Sequence, residues 1–160
     1  SKNSNSNLHF QVHDMREKME DQFDAIFNLF TSFGYFENDA DNLKTLVAIK
    51  ESLTEHGFAV IDFMNVNQVI ANLVPEETKT MDGIDFHIQR YVKEGHIYKE
   101  IAFEDQGESF HFTEKVQALT LQDFQTMMEE AGIYLLDIFG DYKLKKFHKT
   151  ESERLIMIFK

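Results

Sequence analysis

The chain has 160 residues, of which 42% are hydrophobic and 16 are phenylalanine, enough to build the core of one compact domain. Its formal charge of -12 at pH 7 would repel nucleic-acid phosphates and anionic lipids, so neither is an expected partner. Because it has no cysteine, it forms no disulfide and no thiolate metal site, which fits a reducing compartment, the cytoplasm by default.

The start of the chain predicts one short strand. Ser1 to Asn7 is a polar tract without the basic flank or apolar core of a signal peptide. From Leu8 to Val12, apolar and polar residues alternate, which predicts a strand ending at His13-Asp14. The next stretch, Met15 to Gln22, is too charged for a core and is expected to be a loop or a helical turn.

The following segments predict a strand, a helix and a second strand. Phe23 to Phe30 is a mostly apolar run typical of a strand covered on both faces, although a buried helix shows the same pattern. Asp39 and Asp41 offer helix N-caps, and Gly57 is placed as the helix stop before a buried strand at Phe58 to Phe63. This order implies a parallel strand pair.

The pattern then changes to an antiparallel one. Asn65 to Gly83 is expected to be a long connection, and it contains the only proline, Pro75. Short links that contain glycine join three alternating segments, which predicts a meander. The segments are Ile84 to Val92, Ile97 to Phe103 and Phe110 to Leu119.

The last part of the chain predicts a helix and two strands. Thr120 and Asp123 resemble a capping box, and apolar residues on one side of the following helix precede Gly132. The strands are predicted at Ile133 to Phe139 and Leu155 to Phe159. We expect a single domain over residues 1–160, with residues 84–119 as an antiparallel insertion on the substrate side.

Three segments resemble motifs of the class I S-adenosylmethionine-dependent methyltransferases. Val12 to Arg16 is similar to the end of the third strand of that family, Phe23 to Tyr35 to its fourth strand and the next loop, and Gly57 to Phe63 to its fifth strand. The final two strands resemble the terminal hairpin. The resemblance extends from Leu8 to Lys160, and the insertion makes the chain similar to the branch that includes aminosugar N-methyltransferases.

The sequence departs from the family at its glycine-rich turn. The first strand of the family ends in a turn of the type Gly-x-Gly-x-Gly, where the backbone approaches the cofactor. None of the seven glycines here shows that spacing. The resemblance therefore implies an α/β fold with a partial Rossmann-like sheet, from the third to the seventh strand. The first two strands and the glycine-rich loop would precede residue 1 in a parent protein.

The resemblance implies S-adenosylmethionine as cofactor of that complete parent protein. By position, Asp14 would accept a hydrogen bond from the adenine amino group, and Met15 would pack on the adenine face. Asn28, Leu29 and Phe30 would lie near the methionine part, at the carboxyl edge of the sheet. Alternatively, Asp14 only caps the next turn, and Leu29 and Phe30 are plain core residues.

Substrate-side residues follow from the same resemblance. The loop after the first apolar strand would lie between methyl donor and acceptor, with Gly34 allowing a turn that other residues resist. Tyr35 is the candidate catalytic residue, because its hydroxyl could orient an amine or hydroxyl acceptor; a buried structural tyrosine is the alternative. Asp62 interrupts a buried strand and Asn65 follows it, near the same edge. A functional or strand-end polar role is favoured for them over a place in the core.

The predicted meander supplies further candidates. One of its faces would carry Ile84, Phe86 and Ile88. A second face, which would close over substrate or simply face water, would carry His87, Arg90, Tyr91 and His111. Arg90 is the one that we predict to bind substrate.

Metal and hydrolase chemistry are not predicted. His9 and His13 lie four residues apart, but they bracket a predicted strand rather than a helix, and no Gly-x-Ser-x-Gly turn is present. The leading hypothesis is a fragment of a methyltransferase that acts on a small-molecule acceptor and is inactive alone. The alternative hypothesis is a non-catalytic α/β domain that binds a ligand or a protein.

The missing strands would also leave an apolar sheet edge at Phe23 to Phe30. Unpaired backbone groups on such an edge are templates for pairing with another strand. We therefore expect the edge to be covered, either by Leu8 to Val12 or by a second copy of the chain in a homodimer.

Overall fold

A computed structural model describes residues 8–160, so the polar tract at residues 1–7 lies outside the described part. The helices and strands, in chain order, are β1 (Phe23–Asn28), α1 (Asp39–Glu51), β2 (Leu53–Met64), α2 (Val66–Ala71), β3 (Glu76–Met81), β4 (Ile84–Lys93), β5 (His96–Asp105), β6 (Glu108–Gln117), α3 (Leu121–Glu130), β7 (Leu135–Phe139) and β8 (Arg154–Phe159). No helix among these residues is long and apolar enough to cross a membrane.

The first sheet has the strand order β1-β2-β8-β7. Strands β1 and β2 run parallel and α1 connects them, which confirms the predicted strand-helix-strand unit. Strand β8 is antiparallel to both β2 and β7, which confirms the predicted terminal strands. Because β1 and β2 are parallel, both end at the same edge of the sheet, and β8 begins there.

The second sheet is antiparallel, with the order β3-β4-β5-β6. Each of its three hairpins turns on two residues with positive φ, and the second is a glycine: Asp82-Gly83, Glu94-Gly95 and Gln106-Gly107. Two consecutive left-handed residues define a type I′ turn, whose twist matches that of the flanking strands. The predicted meander is confirmed, and β3 adds a fourth strand to it.

A shared core joins the two sheets. Phe33, Phe63 and Phe124 are fully buried, and the ring of Phe124 lies 5.3 Å from each of the other two. Ile97 and Val116 bring the second sheet into the same apolar cluster. The cluster is therefore built by both sheets, α3 and the loop after β1.

The N-terminal strand prediction was wrong. Residues 9–13 form no strand, and the alternating side chains of Leu8, Phe10 and Val12 are exposed. An extended segment is stable only when a neighbouring strand pairs with its backbone. Among the named strands of residues 8–160, β1 pairs with β2 alone.

The predicted limits of α1 were also wrong. Its N-cap is Asn38, whose side chain accepts a hydrogen bond from the Asp41 amide at 3.0 Å. The helix ends at Glu51, and Gly57 lies inside β2. A Cβ at Gly57 would lie 2.8 Å from the carbonyl oxygen of Phe23. Glycine is therefore needed for close contact with β1, beside the register shift in that pair, rather than for a helix stop.

Two further predictions failed in the middle of the chain. Residues 65–83, expected to be a connection, contain α2 and β3. The register of the second sheet puts Arg90 on the face of Ile88 rather than on the face of His87 and Tyr91, because alternate residues of β4 point to opposite sides. His111 lies across β5 from His87, on the same face. The capping box of α3 is confirmed at Thr120 and Asp123.

Candidate functional site

The candidate site lies at the edge of the first sheet where β1 and β2 end. Asp62 lies near the end of β2, and Arg154, the first residue of β8, pairs with Met64. Asn28 ends β1, and its side-chain oxygen accepts a hydrogen bond from Ser32 at 3.0 Å. Ligands of open α/β sheets bind beyond such carboxyl ends.

Asp62 is the centre of a buried polar network at this edge. Its side chain is only 1% exposed, and a buried carboxylate is tolerated when other groups satisfy it. Its Oδ1 accepts from Arg154 Nε at 2.7 Å, and its Oδ2 accepts from the Tyr142 hydroxyl at 2.9 Å. The amide of Phe30 also donates to Oδ2, at 3.0 Å.

This network holds a strained turn directly after β1. Phe30 and Thr31 both have a φ of 59°, a conformation that costs free energy for residues other than glycine. The Thr31 amide donates to the backbone oxygen of Asp62 at 2.9 Å. Its hydroxyl accepts from Arg154 Nη2 at 3.0 Å. Asp62 and Arg154 therefore fix both residues of the turn.

The turn presents apolar side chains to solvent. Phe30 is 77% exposed, and Leu29 and Phe27 are exposed as well. Leu29 and Phe30 are therefore not core residues in the described part of the chain, and the alternative that placed them in the core was wrong. The described chain therefore leaves apolar side chains exposed at the carboxyl edge of this sheet.

The loop then returns to the core and contacts the second sheet. Phe33 is fully buried, and Gly34, with a φ of 84°, accepts a hydrogen bond from the Gln117 amide at 2.8 Å. Tyr35 is 52% exposed, so it is not the buried structural tyrosine that was the alternative. Partial burial, and next the negative charge of Glu114, raise the pKa of the Tyr35 hydroxyl.

Asn65 is placed at the same edge but is engaged within the chain. It is almost fully buried and caps α2, where its Oδ1 accepts from the Asn67 amide at 3.3 Å. Its Nδ2 donates to the backbone oxygens of Lys149 and Ser152, at 2.9 and 2.7 Å. Asn65 therefore attaches the loop between β7 and β8 to the carboxyl edge.

Asp14 lies in a turn rather than at the end of a strand. Its carboxylate pairs with Arg16 at 2.6 Å and accepts from the Arg16 amide at 3.0 Å, and its carbonyl accepts from the Glu17 amide. The hydrogen bonds from Arg16 lower the pKa of Asp14 to about 2. Arg16 also contacts Asp41 of α1 at 3.1 Å. Asp14 thus caps this turn, as the alternative to a cofactor contact proposed.

A small cavity lies beside β1. Met15 is half-buried against the core and lines this cavity of about 170 Å³, together with Ile26, Asn28 and Ile49. The cavity brings together Met15 and Asn28, two of the residues predicted to contact the cofactor.

Arg90 belongs to a different environment. Its guanidinium forms an ion pair with Glu77 of β3 at 2.5 Å, and its amide donates to the Pro75 carbonyl. Its side chain is therefore engaged within the second sheet, and its predicted contact with substrate stays a prediction. Across residues 8–160, no cluster of three histidine or carboxylate side chains has the arrangement of a metal site.

The sequence analysis missed Tyr142 and Arg154. They are separated from Asp62 by 80 and 92 positions along the chain, and no local motif relates residues so far apart. The one available signal was Asp62 itself, because a carboxylate within a buried strand requires partners. The sequence alone did not show that Arg154, the first residue of β8, would be one of these partners.

Comparisons with known proteins give structural similarity without sequence similarity. No protein-family model matches the chain, and neither does any protein with a curated description. One similar solved structure is an S-adenosylmethionine-dependent methyltransferase from Clostridium acetobutylicum, with 18% identity and a TM-score of 0.81 over 94% of this chain and 63% of that one.

Two other solved structures extend the similarity to enzymes with assigned roles. The CcbJ methyltransferase from Streptomyces caelestis has 12% identity and a TM-score of 0.78, over 93% of this chain and 62% of that one. A sugar N-methyltransferase from Streptoalloteichus has 15% identity and a TM-score of 0.65, over 91% of this chain and 60% of that one. The chain spans 60 to 63% of the length of these three structures. Over that length it shares the α/β fold of S-adenosylmethionine-dependent methyltransferases.

Proposed function

We propose that this chain is the acceptor-side part of a methyltransferase that uses S-adenosylmethionine and acts on a small molecule. The fold supports this proposal, and one observation carries it. A turn with two strained residues, fixed by buried Asp62, presents exposed Phe30 at the carboxyl edge of the sheet. Backbone strain that the surrounding structure maintains is often found at functional sites.

The residues of this chain could contact only part of S-adenosylmethionine. Pockets that enclose drug-sized ligands have volumes of ~300–1,000 Å³, whereas the cavity beside β1 has about 170 Å³. Half-buried Met15 and exposed Phe30 offer apolar surfaces, and exposed Asp14 offers an acceptor for an amino group. We infer that these residues form one wall of the cofactor site, and that the glycine-rich turn comes from outside these 160 residues. The chain alone is therefore expected to be inactive.

When bound, the cofactor supplies a methyl group on a positively charged sulfur. The residues of this chain contribute alignment and exclusion of water, which account for much of the acceleration of a displacement between two bound molecules. Tyr35 would orient the acceptor. A tyrosine hydroxyl is protonated at neutral pH, and the raised pKa of Tyr35 keeps it so, which suits hydrogen bonding to the acceptor rather than action as a base.

The other predicted site residues take different roles in this proposal. Gly34 shapes the loop that carries Tyr35, while Asp62 and Asn65 fix the surrounding backbone and do not touch the acceptor directly. Asn28 and Leu29 lie beside the methionine part of the cofactor. The ion pair of Arg90 with Glu77 makes it the least supported substrate residue of the set.

Nuclear magnetic resonance would test this assignment on the chain itself. We would add S-adenosylhomocysteine at millimolar concentration and follow the backbone amide signals. The expected result is weak binding, with shifts confined to residues 14–15 and 28–35. Phe30→Ala should reduce these shifts, whereas Phe112→Ala, a matched change at an exposed phenylalanine of β6, should not. Shifts located in the second sheet, or none at all, would contradict the proposal.

A second candidate function is a non-catalytic domain that binds a ligand or a protein through the second sheet. One observation favours it: the rings of Phe86, Phe103, Phe110 and Phe112 contact one another on one face, and Phe112 is 53% exposed. In the same titration, this function predicts no response near residues 28–35. The two functions are therefore distinguished by one experiment.

We also propose that the edge of β1 opposite β2 pairs with the same edge of a second copy. Within the described residues, β2 is the only strand that pairs with β1, and exposed Phe27 lies on this strand. An antiparallel pairing across a two-fold axis would satisfy the backbone groups of both copies. Light scattering should then show a dimer, and a monomer at high protein concentration would contradict the pairing.

A further inference from the structure

Tyr142 combines an exposed ring with a hydroxyl that reaches a buried carboxylate. The residue is 63% exposed, yet its hydroxyl lies 2.9 Å from Oδ2 of Asp62. Burial of the hydroxyl, and next its hydrogen bond to Asp62, raise its pKa above the ordinary value of tyrosine. Its ring also lies beside the guanidinium of Arg154, whose Cζ is 5.9 Å from the ring centroid.

Tyr142 belongs to the segment that connects β7 to β8, residues 140–153. This segment is attached to the carboxyl edge at two further places. Asn65 binds the backbone of Lys149 and Ser152, and the Arg154 amide donates to the Gly140 carbonyl at 2.9 Å. The segment is therefore fixed at both ends, and Tyr142 extends from it to the centre of the site.

The contacts of Asp62 connect this segment to the turn after β1. Oδ2 of Asp62 accepts from Tyr142 and also from the amide of Phe30. Arg154 donates to Oδ1 of Asp62 and, through its other nitrogen, to the hydroxyl of Thr31. The buried carboxylate of Asp62 therefore links Tyr142 and Arg154 to the left-handed turn.

We infer that Tyr142 and Arg154 are positioning residues that hold the Phe30–Thr31 turn in its strained conformation through Asp62. The inference gives the C-terminal hairpin a role at the carboxyl edge of β1. Its importance for methyl transfer rests on the proposed function, but the positioning itself does not. Neither residue is expected to touch the cofactor.

Amide hydrogen exchange, measured by nuclear magnetic resonance on the full chain, would test the inference. Tyr142→Phe removes one hydroxyl and keeps the ring. Without that donor the carboxylate of Asp62 is held less firmly, so exchange at the Phe30 amide should become about tenfold faster or more, as expected for loss of a hydrogen bond to a charged group. The amide of Ile61, a fully buried residue of β2, should change by less than about twofold, in proportion to any change in global stability.

Two comparisons complete the experiment. Tyr134→Phe is the matched control, because Tyr134 is an exposed tyrosine at the other end of the same hairpin, and it should leave exchange at Phe30 unchanged. Arg154→Lys keeps the positive charge but loses the two-pronged geometry, and it should speed exchange at both Phe30 and Thr31.

The inference fails if Tyr142→Phe leaves the Phe30 amide unaffected, or if it speeds exchange at Phe30 and Ile61 equally. Because no cofactor is added, this outcome is independent of the titration with S-adenosylhomocysteine. A negative titration with a positive exchange result would remove the proposed function and leave the positioning role in place.

Discussion

Replacing Phe124 should destabilise the chain and release the loop that carries the candidate acceptor residue. The side chain of Phe124 is 0% exposed, and its ring lies 5.3 Å from both Phe33 and Phe63. Phe33 anchors the loop before Tyr35, and Phe63 lies near the end of β2. Phe124 is therefore the residue of α3 that packs against both.

The expected loss follows from this burial. Truncating a fully buried phenylalanine to alanine costs about 3–5 kcal/mol, because transfer free energy is lost and a cavity remains. Phe124→Leu keeps most of the apolar volume but loses two aromatic contacts of about 0.5–1.5 kcal/mol each. We therefore expect about 1–3 kcal/mol for the leucine variant. Domains of this kind have a total stability of about 5–15 kcal/mol, so both losses are measurable.

Urea unfolding followed by far-ultraviolet circular dichroism is a suitable assay, because the sequence contains no tryptophan for fluorescence. Phe112→Ala, at a half-exposed position of β6, serves as the control and should cost much less than Phe124→Ala. The reasoning would be refuted if Phe124→Ala cost no more than this control. It would also be refuted if Phe124→Leu left the free energy of unfolding unchanged while its slope with urea concentration stayed the same.

Three further predictions concern the candidate site. In the complete protein, Tyr35→Phe should lower turnover with little change in cofactor affinity. Equal losses of turnover and of cofactor affinity would indicate a structural role. Asp14→Ala should weaken cofactor binding by about 1–3 kcal/mol in calorimetry; an unchanged dissociation constant would leave Asp14 as a turn cap only. Because Arg16 lowers the pKa of Asp14 to about 2, their contact should persist as the pH falls below the ordinary pKa of aspartate and disappear only as the pH approaches 2. Chemical shifts of the Asp14 carboxyl group would follow this titration, and a midpoint near 4 would contradict it.

The sequence predicted the segments whose pattern is local. Phe23 to Phe30 and Phe58 to Phe63 are apolar runs; β1 takes only Phe23–Asn28 of the first, and the second lies inside β2. The meander was predictable because alternating segments are separated by links that contain glycine. The turn at Asp82-Gly83 carried the same signal, since Asp-Gly is a strong hairpin sequence, but β3 itself was missed. Its sequence, EETKTM, is mostly exposed, so it has no apolar alternation to detect.

The candidate site was predictable only in part. The sequence correctly placed Asn28 and Asp62 near the same edge of the sheet, because parallel strands end at the same side. The contacts of Asp62 with Tyr142 and Arg154 depend on tertiary pairing of β2 with β8. The strand predicted at Leu8 to Val12 failed for a related reason: alternation describes a residue pattern, while a strand also needs a neighbour.

The type I′ hairpins of the second sheet also bear on the order in which the chain folds. Strands β3 to β6 pair only with their neighbours along the sequence, across two-residue turns, so they close short loops. Contacts that are local in sequence form quickly, whereas the pairing of β2 with β8 must bring together residues some ninety positions apart. The second sheet should therefore form early. The edge with Asp62 and Arg154 would be among the last regions to become ordered during folding.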